Sequence, residues 1–198
     1  SKKALVIMCA DNGIVEENVS QSGQDVTAIV AANMASRKSS VCLMAGYTGA
    51  QVIPVDIGIA CETIPSGKKI DDMDGILHKK ISHGTKNFLK EHAMTDKQCI
   101  KAIETGKEIV KMCSEKGINI IATGEMGIGN TTTSAALAAI LLDEKPENVT
   151  GYGAGLTNEG LKNKTEIVRK ACEMYSGYKD DALKLLSCIG GLDIAGLA

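Results

Sequence analysis

The sequence has no tryptophan, one phenylalanine and four tyrosines among its 198 residues. A core assembled from stacked aromatics, as in many β-sandwiches, is therefore excluded, and isoleucine, valine, leucine, alanine and methionine must fill it. Charge of one sign is also missing. With a formal net charge of −2 and no clustered basic face, the chain offers no electrostatic footprint for nucleic acid. No hydrophobic run approaches the roughly 20 residues that cross a bilayer, and Ser1-Lys2-Lys3 leads into no signal-peptide cleavage pattern. The expected location is the cytoplasm, with neither membrane nor nucleic acid as partner. Seven cysteines contain no C-x-x-C pair, and His78, His83 and His92 show no metal-ligand spacing. Neither a disulfide framework nor a metal is expected, and no cofactor is predicted.

What is present is glycine, 21 residues of it, and 44% hydrophobic residues in a chain long enough to bury a core. Ala4 to Ala10 is a continuous apolar run stopped by Asp11-Asn12-Gly13, which reads as a buried strand. Gln51 to Ile57 and Ile118 to Thr123 read the same way. Helices are predicted over 25–36, with Val26, Ile29, Val30 and Met34 on one face, and over 39–45. Thr95-x-x-Gln98 is a capping box opening a helix that Gly117 stops, with Ile100, Ile103, Ile109, Val110 and Cys113 as its apolar face. Further helices are predicted over 131–142, 159–175 and 181–188, and 192–198 resembles the start of another. Residues 59–94, broken by Pro65-Ser66-Gly67 and His83-Gly84-Thr85, read as an irregular excursion.

Strands separated by helices of ten or more residues imply βαβ crossovers, so the predicted fold class is α/β: a three-layer domain with a mainly parallel sheet flanked by helices. Residues 1–198 read as a single large domain. Ligands of such sheets bind at the carboxyl ends of strands, which puts Asp11, Asp56 and the turn after Thr123 on one functional edge.

That turn, Gly124-Glu125-Met126-Gly127-Ile128-Gly129-Asn130-Thr131-Thr132, is the strongest chemical signal. Its glycines permit close backbone approach to an anion, and the amides and hydroxyls opening the next helix suit a phosphate monoester. The same glycines also fit a tight βα turn with no ligand. The run lacks the Gly-Lys-Ser/Thr ending of a P-loop and does not fit G-x-G-x-x-G, and Asp11-Asn12-Gly13 supplies no dinucleotide fingerprint either. A second cluster, Gly151 to Gly155, precedes a helix carrying Lys162 and Lys164; either could reach a phosphate as a point charge, although a helix lysine is more often a solvated surface residue.

Together, Ala10-Asp11-Asn12-Gly13-Ile14-Val15, Gln24-Asp25-Val26-Thr27, Gly124 to Thr132, Gly151-Tyr152-Gly153-Ala154 with Asn163-Lys164, and Gly190-Gly191-Leu192-Asp193-Ile194 resemble the nicotinate-nucleotide:dimethylbenzimidazole phosphoribosyltransferases of cobalamin lower-ligand assembly. The likeness runs from residue 4 to residue 198. It implies a fragment of a Rossmann-like large domain that transfers 5-phosphoribosyl from nicotinate mononucleotide to a benzimidazole-type base, in an enzyme that is a homodimer at full length. It further implies that Gly127, Gly153 and Lys164 hold the nucleotide phosphate, with Asn130 and Thr131 beside them. Ser22, Val30 and Met126 match walls of the aromatic-base pocket, and Glu125 matches an auxiliary catalytic glutamate facing the base. Val30 stands where some relatives carry a polar residue, so the acceptor stays open among benzimidazoles, purines and phenols. The family's principal catalytic glutamate lies in sequence this chain does not contain, so the expectation is little or no turnover by the chain alone. The competing reading is a non-catalytic module that binds a nucleotide or an azole.

Overall fold

A computed structural model describes residues 1–63 and 75–198. Its centre is a parallel sheet of four strands, β1 (Lys2–Ala10), β2 (Ala50–Gly58), β3 (Leu77–His78) and β4 (Ile118–Met126), in the order β3-β2-β1-β4. Alternation along β1 sends Val6, Met8 and Ala10 to one face and Ile7 and Cys9 to the other. Both faces are covered, which is why the run is apolar throughout.

Helix α1 (Asp25–Ala35) and helix α2 (Ser40–Thr48) cover the Ile7 face, burying Ala31, Met34 and Ala45 against Val52 and Ile59. Helix α3 (Asp96–Glu115) and helix α8 (Leu192–Leu197) cover the other. Helices α4 (Asn130–Leu142), α6 (Asn158–Tyr175) and α7 (Ala182–Ile189) pack on one another through a third apolar cluster, with Ile14, Val19 and Phe88 inserted. A short helix α5 (Pro146–Val149) and a 3₁₀ turn at Gly13–Glu17 complete the parts used below.

The chain adds β2 and β3 on one side of β1, then crosses through α3 to add β4 on the other. The direction of strand addition therefore reverses between β1 and β4. In open parallel sheets, the crevice at the carboxyl ends beside such a reversal is where ligands bind.

The α/β class and three-layer architecture agree with the sequence reading, as do the capping box and the stop at Gly117 (φ +72°). The helix faces agree in part: Ile109 and Cys113 of α3 and Met34 of α1 are buried, and Ile103 and Val30 pack against the core. On α3 the buried residues are Cys99, Ala102, Thr105, Ile109 and Cys113, while Ile100 and Val110 are 44% and 54% exposed. Close approach explains the difference: a methyl group on Gly106 would lie 2.2 Å from the Gly196 carbonyl oxygen of α8, so this face is selected for small side chains. On α1, likewise, Thr27 and Ala31 are buried in place of Ile29. Strand β3 falls within the predicted irregular excursion, and helix α5 and the 3₁₀ turn where no element was predicted, all being too short to carry periodicity. The predicted breaker at 65–67 lies outside the described residues.

Candidate functional site

Strand β4 keeps its register with β1 as far as Met126, paired with Cys9, so Gly124 and Glu125 belong to the strand and the turn proper is Gly127-Ile128-Gly129. This shortens the predicted turn. Gly124 has only ordinary contacts at its Cβ position, whereas a Cβ on Gly127 would sit 1.7 Å from the Ala10 carbonyl oxygen. Gly129 has φ +92°, a conformation L side chains rarely adopt. These two glycines fold the chain tightly across the end of β1 into α4. At the positive end of α4 the Asn130 amide bonds back to the Gly127 carbonyl (3.2 Å) and those of Thr132 and Thr133 to the Gly129 carbonyl (3.1 and 3.3 Å).

Buried polar groups brace the turn from below. The Ile128 N–H donates to Thr27 Oγ1 (3.1 Å), whose hydroxyl donates to Asp11 Oδ1 (2.5 Å). Asp11 Oδ2 accepts from the Ala60 amide (2.8 Å). Burial pushes the Asp11 carboxyl up, while the Ala60, Thr27 and Ile128 hydrogen-bond donors pull it back. The Asn12 N–H donates to the Ile128 carbonyl (3.0 Å), and its side chain meets Thr133 and Asp193. Asp193 is fully buried; loss of water and the neighbouring Glu125 push its carboxyl up to about 7.

Facing the turn, Lys164 comes from the buried side of α6, at 1% exposure, and donates to Thr131 Oγ1 (2.7 Å). Among the described residues that hydroxyl is its bonded partner, and loss of water lowers the pKa of its ammonium. Gly153, with φ +61°, passes beside both: its Cβ position is 3.0 Å from Thr131 Oγ1 and 3.2 Å from Lys164 Nζ. A cavity of about 120 Å³ opens here between Gly127, Asn130 and Thr131 on one side and Val19, Ser20 and Leu156 on the other. That is below the roughly 300 Å³ of a complete small-molecule site and suits part of a nucleotide.

The structure thus gathers Gly127, Asn130, Thr131, Gly153 and Lys164 in one place. Glu125, at the end of β4, accepts a hydrogen bond from the Asn130 amide, which opposes the upward push on its carboxyl from the protein packed around it. Met126 lines the cavity, and Val30 lies in the same apolar cluster on the α1 face. Ser22 stands apart from the cavity wall, its N–H bonded to Ser20 Oγ (3.1 Å), and Ser20 takes the lining position. Lys162 faces solvent. Asp56 is engaged by the Ile59 amide, Thr63 and Lys80 away from the turn. Sequence reasoning missed Asn12, Thr27, Thr133 and Asp193 as a unit, since partners up to 181 residues apart leave no local pattern.

A family model described as phosphoribosyltransferase matches residues 1–198. The chain is 46% identical to the nicotinate-nucleotide:dimethylbenzimidazole phosphoribosyltransferase of Acetivibrio thermocellus, covering all of this chain and 54% of that protein. It is 43% identical to the enzyme of that name from Clostridium acetobutylicum, covering 99% and 53%. The crystal structure of CobT from Thermus thermophilus superposes with a TM-score of 0.89 at 32% identity, over all of this chain and 57% of that one. The chain spans about half the length of the curated relatives it matches. By family model, sequence and fold alike, it belongs to the family of the nicotinate-nucleotide:dimethylbenzimidazole phosphoribosyltransferases.

Proposed function

We propose that the chain is the nucleotide-phosphate half of an enzyme that transfers 5-phosphoribosyl from nicotinate mononucleotide to 5,6-dimethylbenzimidazole or a related base. The observation that carries this is Lys164, a buried ammonium aimed at the N-terminal end of α4 with a threonine hydroxyl as its bonded partner among the described residues. A cation desolvated in this way is costly without an anion, and the turn glycines and Thr131, the lysine's hydroxyl partner, line an anion-sized space. In the reaction one benzimidazole nitrogen attacks the anomeric carbon, the bond to the pyridinium breaks, and nicotinate leaves with the electron pair, its ring nitrogen neutral. The proton on the other benzimidazole nitrogen must then pass to a base. Glu125, bonded to the Asn130 side chain and raised in proton affinity, would polarise the acceptor or receive that proton in an auxiliary role. The names of the relatives support both substrates. Cytoplasmic location and a homodimer at full length belong to the same proposal.

Calorimetry tests it. Nicotinate mononucleotide should bind the chain, and Lys164→Ala should weaken binding by about tenfold or more, the scale of a charge-assisted contact. Undiminished affinity would count against the assignment. Incubation with both substrates then separates an enzyme from a non-catalytic binder: accumulation of α-ribazole 5'-phosphate shows that the groups on this chain suffice for transfer.

A further inference from the structure

Asn12 is fully buried at the point where β1 meets the turn, and every polar atom of it is engaged. Its N–H donates to the Ile128 carbonyl (3.0 Å) and its carbonyl accepts from Val15 (3.1 Å). Its Oδ1 accepts from Thr133 Oγ1 (2.8 Å) in the first turn of α4, and its Nδ2 lies 3.4 Å from both Asp193 Oδ2 and the Ala10 carbonyl oxygen. Gly129 rests directly on it, its Cβ position 2.9 Å from the Asn12 carbonyl oxygen.

These neighbours specify an amide. One side presents a hydroxyl donor and the other presents two oxygens, so the residue must offer an acceptor and a donor in fixed directions, which also settles how the amide is turned. A carboxylate at this position would face two further oxygens in a site closed to water. An apolar residue would orphan both Thr133 and Asp193.

We infer that Asn12, held between Thr133 and Asp193, is the positioning residue that keeps the Gly127-Ile128-Gly129 turn in its phosphate-receiving shape. It acts through the turn and touches no substrate. The functional part of this role rests on the phosphoribosyl-transfer reading; the geometric part does not.

The experiment uses the whole chain, labelled with ¹⁵N, with two readouts. Amide hydrogen exchange at Ile128 and Asn130 reports the turn without ligand, referenced to amides within α3, and calorimetry reports nicotinate mononucleotide affinity. In Asn12→Asp, exchange at both turn amides should quicken, and affinity should fall, by about tenfold or more. In Asn12→Asp with Asp193→Asn, donor and acceptor change places across the 3.4 Å contact, and both readouts should return to within about threefold of the parent. A merely structural role, with no coupling between positions 12 and 193, predicts that the turn amides of the double variant exchange as fast as those of Asn12→Asp. Thr133→Val, which removes the other anchor, should move both readouts in the same direction and carries the test if Asn12→Asp does not fold. Unchanged exchange in Thr133→Val and Asn12→Asp, or a double variant no closer to the parent than Asn12→Asp, overturns the proposal. If the parent fails to bind the nucleotide while exchange follows the expected order, the nucleotide reading falls and the positioning role stands.

Discussion

At the scale of single residues, the site is built from groups that oppose folding. Lys164 surrenders water for one hydroxyl, and its lowered pKa means that the charged form penalises the folded state. That penalty is full below the folded-state pKa and is relieved as pH rises toward the ordinary lysine value. Lys164→Met should therefore melt above the parent at pH 7 without ligand, with the gap narrowing under alkaline conditions; a gap that widens would contradict the account. Asp193 works in the opposite sense along the pH axis. Its folded pKa of about 7 stands above the unfolded 3.8, so the native state holds an extra proton in that interval, and the associated stability, complete below 3.8, is lost as pH rises through 7. Urea titrations of Asp193→Asn and parent should diverge progressively from pH 4 to pH 7, by on the order of 4 kcal/mol in the variant's favour. Curves that stay parallel would refute it. Lys164 was half legible in the sequence: it falls in phase with Ile167, Val168, Ala171 and Tyr175 on the buried stripe of α6, a phase that marks a lysine as buried but does not say why. Asp193 was quoted within a motif, and nothing local points to Asn12 as its partner.

At the scale of elements, boundaries were far more readable than faces. The ends of α3 are written in Thr95, Gln98 and Gly117, each acting within one turn of backbone. Its buried face depends on α8, about 90 residues later, and close helix approach rewards small side chains over the large apolar ones that a periodicity count favours. Ile103 and Val110 instead border an apolar cavity of about 290 Å³ with Ile121 and Leu197. Gly106→Val should force α3 from α8 and destabilise the chain by about 2–3 kcal/mol in chemical denaturation. A loss within experimental error would show that the helices can slide apart cheaply. The glycine turn shows the same division. Its existence was plain, but which glycines are obligatory depends on the Ala10 carbonyl and the Asn12 carbonyl, both at the end of another strand.

For the whole molecule, parallel α/β layering followed from apolar strands alternating with long helices, whereas the order β3-β2-β1-β4 rests on pairings that composition does not encode. The reversal between β1 and β4 has a kinetic consequence. The contacts that close the turn join residue 12 to residues 128, 133 and 193, so most of the chain must be in place before the turn has its final shape. Closing such long loops is entropically expensive and comes late on a folding route. A nucleotide bound there, as proposed, would have nothing to recognise in a partly folded chain. Saturating nicotinate mononucleotide should leave the refolding limb of a chevron unmoved and lower the unfolding limb, and a faster refolding limb would show that the cradle forms early. The ligand would then act as a latch on the finished protein, lengthening its lifetime without guiding its assembly.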